Sequence, residues 1–265
     1  MIAATFRLRK TLKSLAVTKE KQMYNVYNTS KELQEGNVET AILPIGSTEQ
    51  HSQHLPLGTD WIIAKAISKR VAEKLTSKVY LLPGMPFGTS PCHSGFKGTV
   101  WIRPTTLFYF IKDTCLSLYN QGIKKIAIIN AHGGNWIIKI AVRELNLDNP
   151  DINVIWCMPH ILAQKRLSEV LESSDSLHAG EMETSCMMYL HSELVKKEST
   201  DYVPNVTQEF LDYLRMKDLS PKGVWGRPGL ASKEKGEKAI KIMVEETVKY
   251  IRETFKKIEK IKRKR

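Results

Sequence analysis

The sequence has no apolar run approaching the ~20 residues that a membrane-spanning helix needs, which excludes a helical membrane protein. Its basic start, MIAATFRLRKTLKSLAV, has neither a continuous apolar stretch nor a small-residue cleavage site, so it does not read as a secretory leader. Cysteine is scarce: Cys92, Cys115, Cys157 and Cys186 form no C-x-x-C pair. That argues against a zinc ribbon or a disulfide framework and leaves buried free thiols in a reducing cytosol, so a cytoplasmic protein is expected. No G-x-S-x-G elbow is present, which disfavours a serine hydrolase. Internal repeats and low-complexity linkers are missing too.

What is present fits a soluble α/β enzyme. The 265 residues suffice for one large domain or two small ones. The net charge of +12 is unevenly spread: the last ten residues, KKIEKIKRKR, carry seven Lys or Arg and one Glu. Such a run can bind polyanions by charge alone, which is the alternative of another functional class. No aromatics interleave with it, so a base-stacking platform is missing. The expectation is a solvated, frayed helix end that binds neither nucleic acid nor membrane.

Short apolar runs alternate with longer amphipathic ones. Residues 40–45 (TAILPI), 79–82, 125–130 (KIAIIN) and 153–157 (NVIWC) read as buried strands. Residues 60–75, 105–121, 136–145, 160–172, 181–191 and 234–257 read as helices. This alternation predicts a mostly parallel sheet covered on both faces, with any site beyond the carboxyl ends of its strands. The polar clusters obey that rule. Glu49, His51 and Asp60 follow the first run, His93 the second, His132 the third, and His160 and His178 the fourth.

The densest cluster is GSTEQHSQHLPLGTD, ending at Asp60. Glu49 and His51 are two apart, so an extended backbone points them to one side. Carboxylate with imidazole suits Zn²⁺, Mn²⁺ or Fe²⁺. Asp60 taken alone is as well explained as a helix cap, and His54 as a packed turn residue. Glu49 resists such a reading, because a carboxylate just past a buried strand needs a partner to offset desolvation. In NAHGGN, His132 stands where a strand-end ligand belongs, although the glycines also suit an anion nest. In HAGEMETS, Glu181 and Glu183 are two apart on a helix and face different ways, so at most one reaches a shared metal. His178 beside Gly180 suits proton transfer near neutral pH. The segment PCHSGFKGT is either a substrate-facing loop or ordinary surface.

In order, the segments LPIGSTEQHSQHLPLGTD, CHSGFKGT, INAHGGN, HAGEMETS and GVWGRPGLASKEKG resemble the creatininase family of amidohydrolases, from about Met23 to Phe255. The resemblance implies a three-layer α/β/α sandwich with a mostly parallel central sheet, over residues 23–255, flanked by a poorly ordered extension (1–22) and a basic tail (256–265). It implies a homo-oligomer, commonly a hexamer, and two divalent ions (Zn, Mn or Fe) activating a water against the C–N bond of a small-molecule amide. By matching position, Glu49 and His132 would hold one ion, His51 the other, and Asp60 would bridge them. His178 would be the catalytic histidine, with Glu183 beside it. Creatinine-cleaving members carry a glutamate where this chain has Gly134, so Glu181 is expected to supply the missing ligand. They carry a substrate-closing tryptophan where this chain has Ser174. His93, Lys97 and Arg103 could hold a phosphate, which would suit relatives that deformylate a formamidopyrimidine. Other relatives trim a peptide.

Overall fold

The computed structural model describes residues 23–75 and 78–264. The N-terminal extension expected over 1–22 lies outside the described residues. Five strands form one sheet in the order β1-β3-β2-β4-β5, and every pairing is parallel. The strands are β1 (Met23–Tyr24), β2 (Thr40–Ile45), β3 (Val79–Leu81), β4 (Lys125–Asn130) and β5 (Asn153–Cys157). The helices are α1 (Ser30–Gly36), α2 (Thr59–Lys74), α3 (Pro104–Asn120), α4 (Ile137–Asp148), α5 (Pro159–Leu162), α6 (Gln164–Leu167), α7 (Glu181–Leu190), α8 (Met216–Leu219) and α9 (Lys233–Lys262).

The pleat divides the core. Ile42, Ala127, Ile129, Ile155 and Cys157 face one layer with Ile67 and Val71 of α2, Met187 of α7 and Met243 of α9. Ala41, Leu43, Ile45, Ile126 and Ile128 face the other, with Leu107 and Ile111 of α3 and Ala141 and Leu145 of α4. Residues alternating along β2 and β4 thus serve opposite layers, which is why both strands are almost continuously apolar. Pro44 is tolerated in a central strand because its missing donor falls on the side where β3 has already ended.

From β2 the chain moves outward to β3, then crosses back over β2 to β4. The order reverses at the β2/β4 boundary, and that crevice is where open α/β sheets collect ligands.

Two expectations need correction. The helix expected over 160–172 is two short helices, α5 and α6. Beyond them, the N–H groups of Glu172 and Ser173 donate to the Glu181 carboxylate instead of a preceding carbonyl. The basic C-terminus is not frayed: α9 runs to Lys262, whose ammonium donates to the carbonyl of Ile152 at 3.1 Å and to Asn153 Oδ1 at 2.6 Å. The short edge strand β1 carries too few residues to show a periodicity.

Candidate metal centre

The loop after β2 delivers Glu49 and His51, and α2 delivers Asp60 from its first turn. Gly58 is the N-cap of α2 and Asp60 makes no capping bond, so its carboxylate is free to face the loop. The loop after β4 supplies His132, the turn after β3 supplies His93, and the turn into α7 supplies His178 and Glu183. Glu49, His51, Asp60, His93, His132 and His178 are all at least nine-tenths buried.

Asp60 divides its oxygens: Oδ1 lies 3.3 Å from His51 Nε2 and Oδ2 lies 3.1 Å from His132 Nδ1. Glu49 does the same, with Oε2 3.4 Å from His132 Nε2 and Oε1 3.5 Å from His93 Nε2 and 3.7 Å from His178 Nδ1. Glu183 Oε2 approaches His51 Nε2 to 3.9 Å while accepting from the N–H of Ala179 at 2.6 Å. Two non-glycine residues beside site histidines sit in the left-handed region, Ser52 at φ 60° and Ala179 at φ 51°. Both conformations carry strain of order 1–3 kcal/mol that the surrounding contacts must hold.

The outer ring nitrogens are fixed by backbone. His51 Nδ1 donates to the Glu49 carbonyl at 3.1 Å, His132 Nε2 to Thr89 at 3.3 Å, and His178 Nε2 to Gln50 at 2.7 Å. Each thereby turns its other nitrogen inward, the arrangement that orients metal-bound imidazoles. Asn135 braces the loops, donating to Gly46 O and Asn130 Oδ1 while accepting from Thr89 N–H. His178 is not a loose imidazole, since its backbone exchanges two hydrogen bonds with Trp225.

Glu49 Oε1, His51 Nε2 and Asp60 Oδ2 are buried without a hydrogen-bond partner. Orphaned buried anions are costly, and a cation between them removes that cost. The titration behaviour agrees. Burial alone would lower the pKa of His51, but Asp60, Glu183 and Glu49 raise it to about 10; Glu49 and Asp60 likewise raise His132 to about 9 against burial. Burial opposes ionisation of Asp60 as well, yet His51 and His132 hold it below the usual carboxylate range. Burial lifts Glu183 to about 7, with His51 opposing. The site thus draws positive charge to itself. Glu49, Asp60 and His132 offer ligand atoms within 4.8 Å of one another, as do His51, His178 and Glu183, so the donor set fits hard-to-borderline divalent ions.

Several expected residues fall elsewhere. Glu181 does not reach the centre: its carboxylate accepts from the N–H groups of Glu172 and Ser173 and pairs with Lys235. Lys97, Arg103 and Ser174 are exposed and do not line the site cleft. His54 donates or accepts at Thr184 Oγ1, 2.9 Å away, as a packed residue. At Gly134 an added Cβ would lie 2.4 Å from both His132 Nε2 and Thr89 O, so this chain has no room there for a ligand side chain. Gln50, Thr89 and Asn135 carry no signal in the sequence that marks them as site residues, beyond the place of Gln50 between Glu49 and His51.

The cleft over the centre measures about 760 Å³. Leu177, Leu211, Met216 and Trp136 form apolar wall, and Glu209 and Asp212 stand at its mouth. Among the described residues, no lysine or arginine lines it.

Among relatives, the chain is 29% identical to the mycofactocin precursor peptide peptidase of Mycobacterium ulcerans (strain Agy99), covering 79% of this chain and 83% of the relative. It is 28% identical to the creatinine amidohydrolase of Pseudomonas putida, covering 81% and 89%. A solved structure described as creatininase Mn superposes with a TM-score of 0.74 at 25% identity, covering 87% of this chain and 98% of that one. The family model for creatinine amidohydrolase matches residues 27–251, and the protein therefore belongs to the creatininase family, whose members are hydrolases acting on C–N bonds.

Proposed function

We propose that this protein hydrolyses the C–N bond of a small neutral or cationic amide at a centre for two divalent ions. The observation that carries this reading is the convergence of buried Glu49 Oε1, His51 Nε2 and Asp60 Oδ2, none of which makes a hydrogen bond. One ion would be held by Glu49, His132 and Asp60, the other by His51, Glu183 and Asp60. When bound, such a pair polarises the scissile carbonyl and makes a water acidic enough to attack near neutral pH. His178 turns Nδ1 inward and is kept neutral by burial and by the nearby His51 and His93, its pKa well below the ordinary value. A neutral imidazole there takes a proton from the attacking water and passes it to the departing nitrogen.

The cleft's charge narrows the substrate. In a chain of net charge +12, a phosphate-binding cleft would be expected to recruit lysine or arginine, yet none among the described residues lines this one. This weighs against a phosphorylated formamidopyrimidine. A second reading, trimming of a peptide end, is favoured by the apolar wall and by Glu209 and Asp212, which suit a positively charged partner.

The test is metal content together with a substrate panel. Purified protein should hold close to two divalent ions per chain, and Asp60→Ala should lose both metal and turnover on lactams, formamides or short peptides. Full metal content in Asp60→Ala would refute the bridge. We further assign the chain to the cytoplasm and to a homo-oligomer, the latter supported by exposed Tyr202, Phe210, Tyr213 and Leu214; light scattering measures the assembly. No helix among the described residues is long and apolar enough to cross a membrane.

A further inference from the structure

Four histidines surround the carboxylates, and one is held the opposite way from the other three. His51, His132 and His178 each donate outward to a backbone carbonyl and turn the other ring nitrogen inward. The outer nitrogen of His93, Nδ1, instead meets the side-chain nitrogen of Gln50 at 2.8 Å.

The orientation of the Gln50 amide follows from two backbone groups whose roles cannot change. Its Oε1 faces the N–H of Ser52 at 2.9 Å, which can only donate. Its Nε2 faces the carbonyl of Gly223 at 3.1 Å, which can only accept. The amide group therefore presents N–H to His93, and His93 Nδ1 must accept. A neutral imidazole that accepts at Nδ1 carries its proton on Nε2, the atom 3.5 Å from Glu49 Oε1. The main-chain carbonyl of the same glutamine receives the Nε2 proton of His178. The remaining approach, 3.1 Å between Gln50 Nε2 and His178 Nε2, is donor facing donor, because both amide hydrogens are already placed.

We propose that Gln50 is a positioning residue that gives the two flanking histidines opposite duties. Its side chain makes His93 the N–H donor of the cleft, and its carbonyl makes His178 the acceptor. His93 is then a hydrogen-bond donor to Glu49 or to substrate oxygen and not a metal ligand, although its distances would suit ligation. The two rings lie in contact, tilted by 51° with centroids 4.4 Å apart, so a donor and an acceptor stand side by side over the same carboxylate. Gln50 is buried and cannot be replaced by solvent in this task. The inference deepens the hydrolase reading and rests on it for the purpose of the two duties, but the tautomers themselves are independent of it.

The experiment is two-bond ¹H–¹⁵N correlation on zinc-loaded protein labelled with ¹⁵N-histidine, His93 being assigned by its loss in His93→Gln. The wild type should show His93 unprotonated at Nδ1 and protonated at Nε2. Gln50→Glu removes the donor and offers only acceptors, so His93 Nδ1 should become protonated. His178 should keep its Nε2 proton, since its partner is main chain. Zinc content should be unchanged, and kcat should fall on the order of 100-fold with KM little affected. Should Gln50→Glu fold poorly, Gln50→Met removes the same donor without charge and should mix the His93 tautomers. A wild-type His93 protonated at Nδ1, or a tautomer indifferent to both substitutions, would overturn the proposal. Absence of bound zinc in the wild type would instead count against the hydrolase reading and leave the tautomer result standing.

Discussion

Glu181 and Glu183 leave the first turn of α7 in different directions. Glu183 reaches to within 3.9 Å of His51 Nε2, whereas Glu181 is held by Lys235 and two backbone N–H groups. The two therefore separate by metal content. Glu183→Gln is expected to weaken the ion held with His51 by about 10–100-fold, while Glu181→Gln should leave both ions in place. Metal titration of the two variants reads this directly, and loss of an ion only in Glu181→Gln would reverse the assignment.

Glu181 has a structural task instead. Its carboxylate is buried, and Lys235 Nζ bridges it to Glu172 and to the Leu230 carbonyl, joining α9 to the turn before α7. Lys235→Met would leave that carboxylate buried with its two N–H donors but no cation. Removing one partner of a buried pair typically costs about 3–5 kcal/mol. The two remaining hydrogen bonds place the expected loss at the lower end, ~3 kcal/mol, measurable by denaturant unfolding. A loss below ~1 kcal/mol would show that the carboxylate is satisfied without Lys235.

The contrast between these glutamates also marks how far the sequence could be read. Strands β2, β4 and β5 are legible as apolar runs because both sheet faces are covered. Glu49, His51 and His132 are legible as candidates because each lies just past a strand end, and Asp60 because it opens the helix that follows the first of them. Helical spacing shows that Glu181 and Glu183 diverge, but which one faces inward is decided by Lys235, 54 positions along the chain. Motif position alone points to Lys97 and Ser174, and loop conformation, which periodicity does not encode, leaves both exposed. Gln50 carries no metal-binding chemistry, and its partners Gly223 and His93 are remote in sequence, so nothing local marks it.

The metal-free site sets a pH dependence with a definite sign. His51 and His132 have folded pKa values raised to about 10 and about 9, above the ordinary histidine value of 6.5. Their stabilising contribution is complete below the unfolded value and is lost as pH rises through the folded ones. Glu183, raised to about 7, adds a loss of the same sign as pH rises from its ordinary value of 4.5. The chelator-stripped protein should therefore melt at progressively lower temperature between pH 6.5 and 10. The metal-loaded protein should not, since ligands bound to metal are already deprotonated. Calorimetry at pH 7 in buffers of different ionisation enthalpy should register proton release on metal binding. An apo melting temperature that rises over this window would contradict the charge pattern.

Gly134 tests whether the centre can be converted by restoring a carboxylate. A Cβ there lies 2.4 Å from His132 Nε2 and from the Thr89 carbonyl, the pair whose hydrogen bond holds the ring. Gly134→Glu should therefore displace His132 and lower metal content instead of adding a ligand. Gly134→Ala should produce most of the same loss, because the clash begins at Cβ. A Gly134→Glu variant with full metal content would mean that the loop from Ala131 to Asn135 gives way at little cost.

Packing between α9 and α7 places Glu183. Gly236 lies within α9, where glycine costs about 1 kcal/mol relative to alanine, so helix propensity does not account for it. It lies against α7: an added Cβ would come 1.8 Å from the Ser185 carbonyl oxygen and 2.4 Å from its carbon. Those atoms are main chain and cannot rotate aside, so Gly236→Ala must push α7 from α9. Overpacking of this kind costs typically 1–3 kcal/mol, outweighing the gain in propensity. Because Ser185 is two residues from Glu183, the displacement should also weaken the ion shared by His51 and Glu183 while sparing the one held by Glu49 and His132. Unfolding measurements and metal titration on the same preparation check both parts. A Gly236→Ala protein more stable than wild type, with unchanged metal affinity, would show that α7 is not positioned by this crossing.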